Sequence, residues 1–344
     1  MKRSSGRYRG SRRSGGALIP VLVVLCIAAA ATLYVINNNM TFTREGSFFL
    51  PEKEEKTERV EANLIIDKDV ATQEKETVAI TPPEVENAKE NTRAMFVPIG
   101  SVKNAELFAA ELDAAAQKGI ERLVLEVKAD DGTLAFSTAT KIGKSTLLSG
   151  DDAVFNANLK LARESGYKIA FYLSCFKDNE AARRNQEYSA RTENKVIWLD
   201  GENVRWLSAY SEEARGYITA LMKELVLFAP DEFILSNISF PVYGKTELIA
   251  YPDGGTGKSA ILKSFIEEAQ EAAENIPLSA VYENYKGDYL RKSGQNAEDF
   301  TVFDKLYISR EGGRLSAPMR DAGVEHEVII PIQSDASEGD FLIK

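Results

Sequence analysis

From Arg93 to Gln333 the sequence repeats one pattern: a short apolar run, a polar turn, and a longer stretch with apolar residues at helical spacing. The clearest run is DEFILSNISFP (231–241), which opens on two acids, is apolar through its middle, turns polar at Ser236, Asn237 and Ser239, and stops at Phe240-Pro241. A strand buried on both faces reads this way, because only its carboxyl end reaches a site. The same pattern predicts strands at AMFVPIG (94–100), RLVLEVKAD (122–130), KIAFYLSCFKD (168–178), LSAVYENY (278–285), VFDKLYISR (302–310) and EVIIPIQS (327–334). Helices are predicted between them at 104–119, 151–166, 211–230 and 259–276, with Asp151 or Asp152 and Ser259 as caps and Gly119 and Gly166 as stops. Strands alternating with helices in one series demand a parallel sheet, so the fold class is α/β, and at this length a (β/α)8-type TIM barrel is favoured over an open sheet. An eighth strand has only Phe341 to Lys344 to use, and the link from Gln333 is too short for the usual crossover helix. The expectation is therefore a barrel that is incomplete or irregularly closed.

Ahead of this unit stand three segments of different composition. Residues 1–16 carry six basic side chains, and 17–36 (ALIPVLVVLCIAAAATLYVI) form an uncharged run of twenty, the length of a membrane-crossing helix. Basic residues before such a run stay in the cytoplasm, which places the C-terminal domain outside it on a single-pass signal anchor. Cleavage after Ala29-Ala30-Ala31 is the rival reading, but Leu33 to Ile36 continue the apolar run past that point. Residues 37–92 are rich in Glu, Lys, Thr and Pro, too charged to pack, and read as a disordered acidic stalk before the barrel domain at 93–344.

The formal net charge is −10, and without the six basic side chains of the tail the rest of the chain carries about −16. That balance argues against nucleic acid as a partner. The two cysteines, Cys26 and Cys175, lie one in the apolar run and one in a predicted strand, so no disulfide joins parts of the barrel. His326 is the lone histidine, which rules out a His-rich metal site and leaves a Ser-His-Asp triad that single histidine to use. No cofactor or metal is expected. Gly257-Lys258-Ser259 and Gly143-Lys144-Ser145 end like a phosphate loop, but Pro252 and Thr138 stand where its first glycine belongs, so no nucleotide is expected either.

In the second strand Leu123, Leu125 and Val127 alternate with Val124, Glu126 and Lys128. With the apolar set against the helices, Glu126 and Lys128 point into the barrel and Asp130 toward its mouth, either as part of a site or as a structural ion pair. The same parity offers Tyr172, Ser174 and Asp178 on the third strand, Glu283 near the end of the fifth, and Tyr307 and Ser309 toward the mouth on the sixth. VIWL and VRWL flank Asp200-Gly201-Glu202-Asn203 as a hairpin, putting Trp198 and Trp206 either on a sugar-stacking surface or in a buried anchor.

LVLEVKADDG (123–132), SCFKDNEAA (174–182), Trp206-Leu207-Ser208-Ala209-Tyr210 and DEFILSNISFP together resemble the bacterial glycoside hydrolase family catalogued as DUF4015, similar to TIM barrels of the alpha-amylase and alpha-galactosidase type. The resemblance runs from Arg93 to about Gln333. It implies a barrel acting on carbohydrate, with a central strand of the form Asp-Glu-Ile-x-x-Asp-Tyr-x-Arg-Phe-Pro. Here Asp231, Glu232, Phe240 and Pro241 match, while Ser236, Asn237 and Ser239 replace the inner Asp, the Tyr and the Arg. Glu126-Val127-Lys128-Ala129 matches the second-strand Asp-Val-Lys-Asp in part, Ser208-Ala209 replaces an Asp-Pro, Val281 stands for the fifth-strand Asp, and Pro331 and Gln333 resemble a Pro-Trp-Leu-Gln motif one residue short. Glycoside cleavage uses two carboxyl groups flanking the bond. Either Glu126, Asp178 and Glu283 have taken over catalysis in an active polysaccharide hydrolase, or the barrel no longer cleaves. The second is the expected outcome: a binder of carbohydrate or cell-envelope glycan, with Lys128, Asp130, Tyr172, Trp198, Trp206, Ser236, Asn237, Tyr307 and Gln333 as binding residues.

Overall fold

The computed structural model describes residues 40–43, 46–49, 92–252, 255–283, 285, 287–308, 317–323, 329–335 and 339–344. The expected membrane span, most of the stalk, Cys26, Ser309 and His326 lie outside the described residues. Among the described residues no helix is long and apolar enough to cross a membrane. The chain divides into two units, 1–83 and 84–344. Within the first, Met40–Thr43 pairs antiparallel with Gly46–Phe49. These two runs, MTFT and GSFF, are the Thr- and Phe-rich exceptions in a span whose charge otherwise reads as structureless.

The second unit is a closed barrel of eight parallel strands: β1 Arg93–Val97, β2 Arg122–Lys128, β3 Lys168–Ser174, β4 Glu232–Ser236, β5 Leu278–Tyr282, β6 Leu306–Ile308, β7 Ile329–Gln333 and β8 Phe341–Ile343. β8 lies between β7 and β1, with Leu342 opposite Ile332 and Phe341 opposite Arg93, so the barrel is complete. Of the two expected closures the incomplete one is excluded, and the eighth strand lies at Phe341–Ile343, within the stretch the sequence offered for it. β8 pairs with the end of β7 rather than its start, so the chain has only part of a strand length to regain, and at ~3.3 Å per residue the 334–340 link is long enough to regain it.

The helices that bear on the site are α1 Ala105–Gln117, α2 Asp152–Glu164, α3 Asn179–Arg184, α4 Glu212–Val226, α5 Lys258–Ala273 and α6 Asp288–Ser293. Asn104, Asp151 and Ser211 cap α1, α2 and α4 by accepting from backbone N–H groups of the first turn, each contributing ~1 kcal/mol. Ser259 is not the cap of α5, which starts at Lys258 after Gly257; its hydroxyl donates to Asp299 instead.

Two apolar layers follow from strand alternation. Leu123, Leu125, Phe171 and Phe233 face outward and pack with helix residues such as Phe155 and Phe265. Val124, Ala170, Tyr172, Ile234, Val281, Tyr307, Ile330 and Leu342 fill the lumen. Burying side chains of this size contributes ~1.5–3 kcal/mol each. The alternation breaks once where it matters: Glu126 is opposite Tyr172, but Lys128 is opposite Leu173. A β-bulge of this kind adds a residue to one strand and reverses the facing of everything after it. Lys128 therefore points outward, beneath α4, where its ammonium lies 5.9 Å from the Tyr217 ring.

The floor of the barrel is a closed ionic cluster. Arg122 and Lys305 reach the Glu232 carboxylate at 2.8 and 3.3 Å, and the Tyr307 hydroxyl donates to it at 3.1 Å. Tyr307 is thus turned toward the amino ends of the strands, away from the mouth where its parity suggested it would serve a ligand. The β6 ring sits mid-lumen, and its hydroxyl finds the buried acceptor below.

Candidate functional site at the barrel mouth

At the carboxyl ends of the strands lies a cleft of about 280 Å³. Glu126 and Tyr172 form its floor, Asp130, Lys177 and Asn237 one side, Asp200, Glu202 and Trp206 the insertion side, and Pro241, Val242, Tyr243, Glu283, Tyr285 and Lys344 the rest.

Glu126 is the deepest of these carboxyls. Its Oε2 accepts from the Ile99 backbone N–H at 2.9 Å. Burial raises its pKa; the Ile99 hydrogen bond and the nearby Lys344 charge oppose that rise, while Asp130 and Asp131 add to it. Lys344, just past β8, donates to the Tyr172 hydroxyl at 3.1 Å and sits 4.5 Å from the centroids of both Phe96 and Tyr172, whose rings meet edge to face. Burial on its own would lower the Lys344 pKa, but the Tyr172 hydroxyl, Glu126 and Asp130 outweigh it and hold the ammonium charged.

Asp130 is tied from two sides. The Asn237 amide donates to its Oδ1 at 3.0 Å, and Lys177 lies 3.3 Å from Oδ2. Asn237 also donates to the Ser174 hydroxyl at 2.9 Å, from a left-handed backbone at φ 53° that bends the chain out of β4. Lys177 bridges onward to Glu202 at 2.9 Å. Asp200 organises the insertion: its Oδ1 accepts from the Glu202 and Val204 backbone N–H groups, and its Oδ2 accepts from the Trp206 indole at 2.9 Å. The hairpin expected here exists as a tight turn with single bridges, Leu199 to Arg205 and Arg191 to Ile197, rather than as two strands.

Of the other residues singled out from sequence, several lie elsewhere. Asp178 is fully buried outside the cleft, where it caps α3 by accepting from Ala181 N–H at 2.9 Å and pairs with Lys128 at 2.8 Å. Lys128 also donates to the Ser174 carbonyl at 2.7 Å. The bulge turned Lys128 from the mouth, and Asp178, four residues past the end of β3, takes its direction from the cap of α3 rather than from strand parity, so neither is placed to meet a ligand. Gly132, at φ 91°, lets the loop after β2 close over this pair: a Cβ there would stand 2.5 Å from Asp178 Oδ1. Trp198 is a buried anchor, its indole donating to the Lys245 carbonyl at 2.9 Å, and it does not line the cleft. Ser236 is buried at the end of β4, donating to the Leu173 carbonyl at 3.2 Å. Gln333, at the end of β7, donates to the Asp335 carbonyl and is not a cleft residue.

Lys177, Asp200, Glu202, Tyr243, Tyr285 and Lys344 line the cleft without having been singled out in the sequence. The signal for Asp200 was present, since an Asp opening a DGEN turn beside two tryptophans is suited to bind an indole. Lys344 had no signal without the eighth strand. Among the described residues no group of three His, Cys, Asp or Glu side chains is arranged to hold a metal ion.

No curated protein matches the chain. Among solved structures, a hypothetical protein from Ruminiclostridium thermocellum ATCC 27405 is 23% identical at a TM-score of 0.49, covering 54% of this chain and 96% of that one. The GH20 exo β-N-acetylglucosaminidase of Vibrio harveyi is 11% identical at 0.49, covering 70% of this chain and 41% of that one. Alpha-L-fucosidase isoenzyme 2 of Paenibacillus thiaminolyticus is 13% identical at 0.46, over 65% of this chain and 36% of that one. The chain thus spans less than half the length of either enzyme. The family model DUF4015, described as "Putative glycosyl hydrolase domain", matches residues 94–299. That match runs from the first barrel strand past the fifth and takes in more than half of the chain, which accordingly belongs to this family of glycosyl hydrolase-like barrels.

Proposed function

We propose that the protein is a glycan-binding barrel that keeps the glycosyl hydrolase scaffold but not its cleavage chemistry, held at the outer face of the cell membrane by the 17–36 segment. The observation that carries the reading is the end of β4. A cleaving barrel needs a carboxylate pair across the scissile bond. Here Ser236 is buried against the Leu173 carbonyl, and Asn237 turns its amide onto Asp130 and Ser174. Three of the mouth acids are engaged as well: Asp130 and Glu202 by Lys177, Asp200 by Trp206 and two backbone N–H groups. A polar cleft whose groups are held in fixed directions, with Trp206, Tyr243 and Tyr285 beside them, suits the hydroxyl edges and apolar faces of sugar rings.

A second reading, an active hydrolase, is favoured by Glu126. A carboxyl whose pKa burial raises is suited to donate a proton to a leaving oxygen, and Glu283 lines the same cleft. Co-sedimentation of the full chain with insoluble cell-wall and plant polysaccharides tests the binding proposal. Pull-down that Trp206→Ala weakens supports it, and no pull-down with any polysaccharide contradicts it. Outward orientation is tested separately by protease digestion of intact cells, which should degrade the barrel domain.

A further inference from the structure

We propose that Tyr243, Tyr285 and Tyr289 form a stacking subsite on the rim, so that the ligand is a linear, neutral polysaccharide held along several sugar units rather than by one terminal sugar. The inference rests on the glycan-binding reading of the cleft and deepens it. Tyr243 and Tyr285 line the cleft, with ring centroids 6.4 Å apart at 69°. Tyr289, on α6, continues the surface outward, 5.3 Å from Tyr243. Tyr243 and Tyr289 are 42% and 47% exposed, side by side at the cleft's edge. Tyr243 and Tyr289, adjacent exposed rings leading away from a polar cleft, are inclined at 45° to one another and make a stepped ledge with hydroxyl tips, which suits the successive C–H faces and hydroxyl edges of a sugar chain.

The backbone that carries Tyr243 is fixed against the insertion. Gly244, at φ 89°, brings the backbone next to Tyr243 so close to the insertion that a Cβ would stand 3.1 Å from Gly201 N and 3.3 Å from the Trp198 ring. The Trp198 indole then fastens the following residue through the Lys245 carbonyl. Trp198, Gly244 and the Asp200 turn therefore act as positioning residues for the ledge. Carboxylates outnumber lysines in the cleft that the ledge extends, which disfavours uronic acid or phosphate-bearing polymers there; Lys292, 6.0 Å from the Tyr289 ring centroid, is a cation at the outer end of the ledge, and the anionic series tests whether it reverses that preference.

The test is titration calorimetry of the full chain with neutral glucan, mannan, xylan and chitin oligosaccharides, from disaccharide to hexasaccharide, with oligogalacturonates as the anionic series. The expected result is affinity that rises roughly tenfold or more with length for the recognised neutral series, ~1.4 kcal/mol. Tyr289→Ala should flatten that dependence, Tyr289→Phe should retain it, and Trp206→Ala should weaken every length. Sugars that bind equally at all lengths, or a length dependence untouched by Tyr289→Ala, would overturn the ledge and leave the cleft reading standing. Tighter binding of the anionic series would overturn the neutral class. No binding by any series would overturn both readings.

Discussion

Glu126 and Lys128 stand two residues apart on β2, and each lies beside an opposite charge, yet their surroundings differ completely. Lys128 and Asp178 are both fully buried, 2.8 Å apart, with the Ala181 N–H donating to Asp178 Oδ1 and the Ser174 carbonyl accepting from the Lys128 ammonium. Glu126 and Lys344 face the lumen and open onto the cleft. The bulge between the two positions is what separates them: one side holds a sealed pair that ties β2, β3 and α3 together, the other a carboxyl with room for a ligand. Buried charge alone does not identify a site; the face on which it lies does.

The sharpest way to break this contrast is Lys128→Met. It strands the Asp178 carboxylate without its counter-charge and should destabilise the fold by about 3–5 kcal/mol, the usual cost of removing one partner from a buried pair. Chemical denaturation midpoints measure it, and a loss within error would show the pair is not sealed. Gly132→Ala should come next, since it forces a Cβ against Asp178 Oδ1 from a left-handed backbone; ~1–2 kcal/mol is expected from the backbone alone.

Glu126→Gln should act oppositely and more weakly. Burial raises the Glu126 pKa, so the folded protein holds that proton more tightly than the unfolded chain does. Its favourable contribution is complete below the ordinary glutamate pKa and is lost as pH climbs from there through the raised folded value. The variant should match the parent in acid and become the more stable of the two as pH rises toward neutrality. Thermal melts across that range decide the point; a variant less stable at neutral pH would contradict the assignment. The smallest effect is expected at Cys175, buried with its thiol pushed up to about 12. Its peptide should stay unlabelled by a thiol reagent in the native protein and label fully after denaturation.

Much of the barrel was readable from the sequence because strand runs and helix caps are local signals. The central strand, the second strand's alternation up to Glu126, and the cap Asp151 need only near neighbours. The eighth strand did not, because its three residues become a strand only when β7 and β1 supply partners from opposite ends of the domain. The bulge was equally silent: nothing in Glu126-Val127-Lys128 marks the extra residue that turns Lys128 outward, while Asp178 was misplaced because β3 parity does not extend past Ser174 to a helix cap. Trp198 and Trp206 looked alike in sequence, and the indole partners, the Lys245 carbonyl and the Asp200 carboxylate, decide which one meets the cleft. Tyr307 followed its parity into the lumen, but Glu232 drew its hydroxyl to the floor.

The account turns on a barrel that holds a glycan without cutting it. Reducing-end release from cell-wall and plant polysaccharides, measured from acid to neutral pH with the full chain and its Glu126→Gln variant side by side, tests that most directly. The account predicts no release by either protein, from polysaccharides that the parent chain nevertheless retains. Release by the parent chain that Glu126→Gln abolishes would contradict it and make Glu126 the proton donor of a working hydrolase.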